Sequence, residues 1–169
     1  MEPELLASVS ALGSGTRAIG IFEERWTAPA GPLAVALHGV RDPGNVGTIL
    51  RSALAFGAAC VVIGPDTADP FGPKAVRASM GAIFHVPVAR WDAAELPRPV
   101  IALAAHEGEP LAGPLETATL LIGAERTGLP PDVVASADRV AHVPIAFESL
   151  NAAMAATVAL YEARRVRYN

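Results

Sequence analysis

Short apolar runs alternate along this chain with stretches of helical spacing. The runs Leu33 to Leu37, Ala59 to Ile63, Ile83 to Val88, Val100 to Ala104, Thr119 to Ile122 and Arg139 to Val143 are bounded by Gly, Pro or polar turns, which predicts strands. Most read as continuous apolar segments, the pattern of strands covered on both faces, as in a parallel sheet. The order of runs and helical segments predicts an α/β domain, a mainly parallel sheet flanked by helices.

Two helices are sharply marked. In the first, Asn45 is the expected N-cap after Pro43-Gly44. Val46, Ile49, Leu50, Ala53 and Leu54 form the buried stripe, with Arg51 on its shoulder and Gly57 as the stop. In the last, Ser149 is the expected cap and Leu150, Ala153, Met154, Thr157, Val158 and Tyr161 share one stripe. The other flank, with Ala152, Ala155, Ala156 and Ala159, is small enough for another helix to approach closely.

Residues 1–31 read as an attached arm, with glycine and proline turns at Gly13-Ser14-Gly15 and Pro29 to Pro32 around a strand-like stretch, Ala18 to Phe22. The Gly-Ser-Gly piece follows no strand and lacks the third glycine of a dinucleotide fingerprint. Residues 32–169 form the single domain.

Composition narrows the function classes. At 169 residues and 51% hydrophobic, the chain can bury one core, and no apolar run approaches the ~20 residues of a membrane span. No charged segment precedes an apolar signal stretch, so the expectation is a cytoplasmic protein with no membrane partner. Cys60 is the only cysteine, which excludes an internal disulfide and a thiolate metal cluster. His38, His85, His106 and His142 lack metal-ligand spacing, so no metal is expected. A net charge of −4 argues against coating nucleic acid by bulk electrostatics. Lys74 is the only lysine among thirteen cationic residues; an Ala-, Arg- and Pro-rich composition accounts for that bias without a functional cause.

Three polar words interrupt the apolar pattern: Asn45 to Arg51 (NVGTILR), Gly123 to Pro130 (GAERTGLP) and Ser149 to Asn151 (SLN). Each falls at a junction of strand, loop and helix, where donors can converge on a ligand. Taken singly, each has a plain structural reading: Asn45 and Ser149 as caps, Arg51 as a solvated helix charge, Gly123 and Gly128 as turn residues.

Together, in this order, the words resemble those of the SpoU/TrmH branch of the SPOUT RNA methyltransferases, from about Leu33 to Arg165. The resemblance implies a homodimer with a deep C-terminal trefoil knot, acting on tRNA or rRNA and moving a methyl group from S-adenosylmethionine to a ribose 2′-hydroxyl. It implies that Arg51, Asn45, Glu125, Ser149 and Asn151 form the catalytic cluster. The loops 103–108, 123–128 and 143–150 would hold the cofactor, with contacts at Leu103, Ala104, Gly123, Val143, Ile145 and Leu150. The segment Ile145-Ala146-Phe147-Glu148 is shorter than the matching family loop and lacks its glycine. Arg126 stands where a small residue is common, a candidate phosphate contact. A guanidinium is a poor general base, so Arg51 is expected to grip the phosphate beside the target ribose and favour the alkoxide electrostatically. A dimer would also gather Arg164, Arg165 and Arg167 from two chains. The alternatives are a non-catalytic RNA-binding or ribosome-assembly protein on the same scaffold, or a base methylase; the full set of polar words weighs against both.

Overall fold

The computed structural model describes residues 19–91, 96–146 and 148–165. The apolar runs become strands β1 (Trp26–Thr27), β2 (Leu33–Leu37), β3 (Cys60–Ile63), β4 (Val88–Arg90), β5 (Val100–Leu103), β6 (Glu109–Pro110), β7 (Ala118–Ile122) and β8 (Arg139–His142). Helices α1 (Pro43–Ala55), α2 (Pro73–Ala78), α3 (Pro131–Ala135) and α4 (Ala152–Arg164) lie between and after them. The strands form one sheet in the order β1-β4-β3-β2-β7-β5-β8-β6, and every neighbouring pair is parallel.

Every residue of β2 and β7, at the centre, is buried. Alternation sorts their side chains between two faces. Leu33, Val35, Leu37, Leu120 and Ile122 join the larger core with residues of α1 and α4. Ala34, Ala36, Cys60 and Val62 face the other side, where Leu129 and Val133 pack. Burial pushes the Cys60 thiol up from its ordinary value. Its Sγ donates to Ala30 O at 3.1 Å and accepts from Ala30 N at 3.2 Å, tying residue 30 to the sheet.

Several expectations are corrected. Residues 19–22 form no strand; Phe22 instead packs on Phe71 and Phe84, and the first strand is Trp26–Thr27 at the sheet edge. Ala18 lies outside the described residues. The run Ile83 to Val88 splits, because Met80 and Gly81 both have positive φ and start a 3₁₀ turn at Ala82–Phe84. Pro87 cannot donate to a ladder, so β4 begins only after it.

The cap of α1 is Asp42, whose Oδ1 accepts from Asn45 N at 2.8 Å, with Pro43 at the first helical position. Proline suits that position because its missing N–H would be unpaired there anyway. The buried stripe of α1 turns toward Gly47 and Ser52, leaving Leu54 exposed. An added Cβ at Gly47 would lie 2.4 Å from Ala75 O, so α1 and α2 meet there backbone to backbone. On the other flank, Ser52 Oγ and Thr157 Oγ1 share a 2.7 Å hydrogen bond between α1 and α4.

The cap of α4 is Asn151, not Ser149. Its small flank faces the core, where Ala152, Ala153, Ala156, Ala159, Leu160 and Ala163 are buried, while Met154, Val158 and Tyr161 are exposed. Arg164 is committed to the end of α1, donating to Phe56 O at 3.2 Å and Gly57 O at 2.8 Å; Arg165 pairs with Glu162. Arg167 lies outside the described residues.

At the far end of the sheet, β8 sits between β5 and β6. The link from Leu103 to Glu109 therefore passes over a strand made thirty residues later. Ala104 N donates to Ala141 O on one side of β8 and Leu111 N to His142 O on the other. Next, α4 runs under the segment that follows β6: Gly113 N donates to Glu162 Oε1 at 3.0 Å and Leu115 N to Ala163 O at 2.8 Å.

Candidate active site

The loops at the carboxyl ends of β2, β5, β7 and β8 meet at one edge, the place where open parallel sheets bind ligands. The β7 loop is the hub. Ala124 and Gly128 exchange backbone hydrogen bonds of 3.1 and 3.0 Å, closing a turn with Glu125, Arg126 and Thr127 at its tip. A Cβ at Gly123 would lie 2.4 Å from Gly128 C, so a glycine there is required for the turn to close.

This turn divides two cavities. The smaller, about 430 Å³, is lined by Leu103, Ala104, Gly123, Val143, Ile145 and Leu150, and by Ser149. The larger, about 940 Å³, is lined by His38, Gly39, Arg41, Asp42, Asn45, Asp66, Pro131 and Asn151, among others. Residues Ala124 to Leu129 line both.

At the shared wall three polar side chains connect in one direction. Asn151 Oδ1 accepts from Ala153 N at 2.9 Å and Met154 N at 3.3 Å, capping α4. Its amide nitrogen is thereby left to donate, and it donates to Asn45 Oδ1 at 3.1 Å. Asn45 Nδ2 in turn donates to Glu125 Oε1 at 2.5 Å. Backbone donors can be met only by an amide oxygen, so the helix end sets the orientation of both amides. The Glu125 carboxylate makes no other hydrogen bond among the described residues. Its second oxygen is open to a ligand.

The loops are tied together elsewhere as well. His106 Nε2 and Glu148 O are 2.8 Å apart, joining the β5 loop to the β8 loop over the smaller cavity. His38 stacks edge-on against Trp91 at 5.9 Å between ring centroids. Phe147 lies outside the described residues.

Of the residues singled out in the sequence, Asn45, Glu125 and Asn151 converge in the amide chain. Ser149 and the six proposed cofactor contacts line the smaller cavity. Arg51 stands apart. Six residues along α1 from Asn45, at about 100° and 1.5 Å per residue, it lies about a third of a turn away and about 9 Å further on. It is exposed, lines neither cavity and makes no hydrogen bond among the described residues. His38 lines the larger cavity, consistent with a strand end near the pocket, whereas Arg41 and Asp66 carry no motif in the sequence. The one available signal was their place just after strands β2 and β3. Among the described residues no group of three His, Cys, Asp or Glu side chains is placed to hold a metal, and no helix is long and apolar enough to cross a membrane.

The chain belongs to the SpoU rRNA Methylase family, whose pattern matches residues 32–161. It is 36% identical over 143 residues to the 23S rRNA (guanosine(2553)-2′-O)-methyltransferase RlmP of Bacillus subtilis (strain 168), covering 76% of this chain and 56% of that one. Its fold is similar to that of an AdoMet-bound rRNA methyltransferase from Sinorhizobium meliloti, with a TM-score of 0.77 and 35% identity over 85% of this chain and 62% of that one. It is also similar to a structure described as giving insight into 2-OH methylation of C/U34 on tRNA, with a TM-score of 0.69 and 33% identity over 79% of this chain and 95% of that one. The chain spans about half the length of the curated relatives it matches.

Proposed function

We propose that this chain transfers a methyl group from S-adenosylmethionine to a ribose 2′-hydroxyl in ribosomal or transfer RNA, with residues 32–169 as the catalytic domain and residues 1–31 as an arm. The observation that carries this reading is the chain from Asn151 through Asn45 to Glu125, set in the wall that two cavities share. Two cavities that share a rim let a bound donor and a bound acceptor touch there, the direct in-line contact that group transfer needs.

The smaller cavity suits the cofactor. Its volume falls within the range of about 300–1,000 Å³ common for small-molecule sites, with Leu103, Ile122 and Leu150 as apolar lining. Its charged lining comprises Glu107, Glu125, Glu148 and Arg126, a predominance of carboxylates that favours a cationic sulfonium over an anionic ligand. When bound there, the cofactor supplies a methyl group already activated by the positive sulfur.

The protein's own part is then limited to orientation and the hydroxyl proton. Asn45 fixes the Glu125 carboxylate, and the open oxygen of Glu125 accepts the hydrogen of the ribose hydroxyl, which turns an oxygen lone pair toward the shared wall. Arg51 acts from a second copy of the chain. It lies on the face formed by α1 and α4 where Leu54, Met154, Val158 and Tyr161 are exposed, and a homodimer closing that face would carry each Arg51 toward the partner's acceptor cavity. There its guanidinium holds the phosphate next to the target ribose and favours the developing alkoxide. The placement of β8 between β5 and β6 supports a C-terminal trefoil knot. A ribosomal or transfer RNA substrate supports the reading that the protein works in the cytoplasm.

The test is transfer of a tritiated methyl group to bulk tRNA and bulk ribosomal RNA, followed by nuclease digestion. The expected product is a 2′-O-methyl nucleotide from one of the two, and Arg51→Ala is expected to abolish turnover while cofactor affinity by calorimetry stays within about twofold. No such nucleotide from either RNA would refute the reading; cofactor binding without transfer would favour a non-catalytic RNA-binding role.

A further inference from the structure

The larger cavity has a charge lining that needs explanation if it is to receive RNA. Three carboxylates, Asp42, Asp66 and Glu125, stand among only two guanidiniums, Arg41 and Arg126, which by count would repel a polyanion. The hydrogen bonds show where each carboxylate is directed. Asp42 is held by Asn45 N at the start of α1, where the helix dipole offsets its charge. Glu125 is held by Asn45 Nδ2, and Asp66 by Arg41 Nη2 at 3.3 Å.

Glu125 keeps its second oxygen open, while the guanidinium donors are largely unused. Arg126 makes no hydrogen bond or ion pair among the described residues, and Arg41 uses one nitrogen of a five-donor fork. Both side chains reach the same cavity from separate loops, Arg41 after β2 and Arg126 at the tip of the β7 turn beside Glu125.

Asp66 adopts a left-handed backbone, with φ of +54°, a conformation that aspartate tolerates better than most residues other than glycine. Four hydrogen bonds impose it here: Gly64 N to Leu37 O at 2.8 Å, Gly39 N to Pro65 O at 2.9 Å, Ala68 N to Val40 O at 2.9 Å, and Thr67 Oγ1 to Leu37 O at 3.2 Å. The pair they present is open to water, with Arg41 and Asp66 side chains 77% and 68% exposed, so its contribution to stability is small. A loop fixed by four hydrogen bonds around an energetically weak pair points to placement of the guanidinium.

We propose that Arg41 and Arg126 form a two-point grip on the phosphates of the strand that presents the acceptor nucleotide, with Asp66 as the positioning residue for Arg41. This rests on the reading above that the larger cavity receives RNA. Arg126 also lines the smaller cavity, where the carboxylate of a cofactor is a competing partner, and the experiment separates the two.

The full chain and the variants Arg41→Ala, Arg126→Ala, Asp66→Asn and Arg41→Ala with Asp66→Asn are titrated against a fluorescein-labelled hairpin oligoribonucleotide across a potassium chloride series. Each arginine variant is expected to bind about tenfold more weakly and to flatten the slope of log Kd against log salt by about 0.7 to 0.9, the loss of one phosphate contact. Asp66→Asn is expected to reproduce part of the Arg41→Ala slope change and to add nothing in the double variant; a lowered melting temperature with an unchanged slope would make it merely structural. S-adenosylmethionine affinity by calorimetry, which reports on folding as well, is expected to be unchanged in all four. A cofactor Kd raised by Arg126→Ala with the RNA slope intact would overturn the grip and assign Arg126 to the cofactor. Unchanged slopes in both arginine variants would also overturn it, even if the native chain methylates RNA. Because these readouts need no turnover, absence of methyl transfer would refute the proposed activity without deciding the grip.

Discussion

The Asn151 amide oxygen holds the first turn of α4 while its nitrogen donates to Asn45, so Asn151→Asp separates two roles. A carboxylate caps a helix as well as an amide does, but it has no hydrogen to give. Asn151→Asp is expected to melt within a degree or two of the native protein yet lose on the order of 10²-fold in kcat, the scale for removing one organising donor. Asn151→Ala is expected to lose activity and, with the cap gone, about 1 kcal/mol of stability. Equal kcat for Asn151→Asp and native enzyme would remove the amide chain from the mechanism. These residues were legible because they stand in polar words set among apolar runs. Their division of labour was not: Pro43 takes the first helical position, passes the cap back to Asp42 and frees the Asn45 side chain. Arg41 and Asp66 belong to no repeating pattern, and only backbone hydrogen bonds between the loops after β2 and β3 bring them together.

At the scale of elements, the junctions carry the sharpest constraints. Since a Cβ at Gly47 would meet Ala75 O at 2.4 Å, Gly47→Ala must push α2 off α1, and the expected cost is about 1–3 kcal/mol by urea denaturation. The usual gain from replacing a helical glycine would appear instead if α2 moved freely. A second junction responds to pH. Asp138 Oδ2 accepts from Val100 N at 2.7 Å, and Asp138 Oδ1 from Arg98, and these hold the Asp138 carboxyl below its ordinary range. A carboxyl with a lower pKa folded than unfolded stabilises the fold at pH above the unfolded value, about 3.9, and that stabilisation is lost as pH falls through the folded value. The melting temperature is therefore expected to drop below about pH 4, and less steeply in Asp138→Asn. Period alone located β2, β3, β5, β7 and β8 to within a residue or so. It failed at Ile83 to Val88, where the left-handed pair Met80 and Gly81 and the missing donor of Pro87 override an apolar run. It read the alanine flank of α4 as one that another helix can approach closely, and that helix is α1 of the same chain, while the larger residues of α4 face out.

For the whole molecule, the exposed apolar residues of α1 and α4 are where a second copy would dock. Met154 and Tyr161 on α4 are 61% and 54% exposed, and Leu54 on α1 is exposed as well. Sedimentation is expected to give twice the chain mass at micromolar concentration. The double substitution Met154→Glu with Tyr161→Glu is expected to give a monomer that binds cofactor but transfers no methyl group. A monomeric native protein that is fully active would rule out a shared site. None of this was visible in periodicity, which describes how each segment meets its own core and is silent about a second chain; the expectation of a pair came from the family resemblance. The same holds for the path of the C-terminal segment, since no local pattern records which strand will lie beside which.

That path has a consequence for how the protein is made. The lane that β8 fills is bordered by β5 on one side and β6 on the other, both synthesised earlier. Until the last third of the chain is made, β5 lacks its outer neighbour and presents unpaired amides and carbonyls along one edge, a template for any extended segment. The finished molecule covers that edge with its own β8, which in turn carries β6.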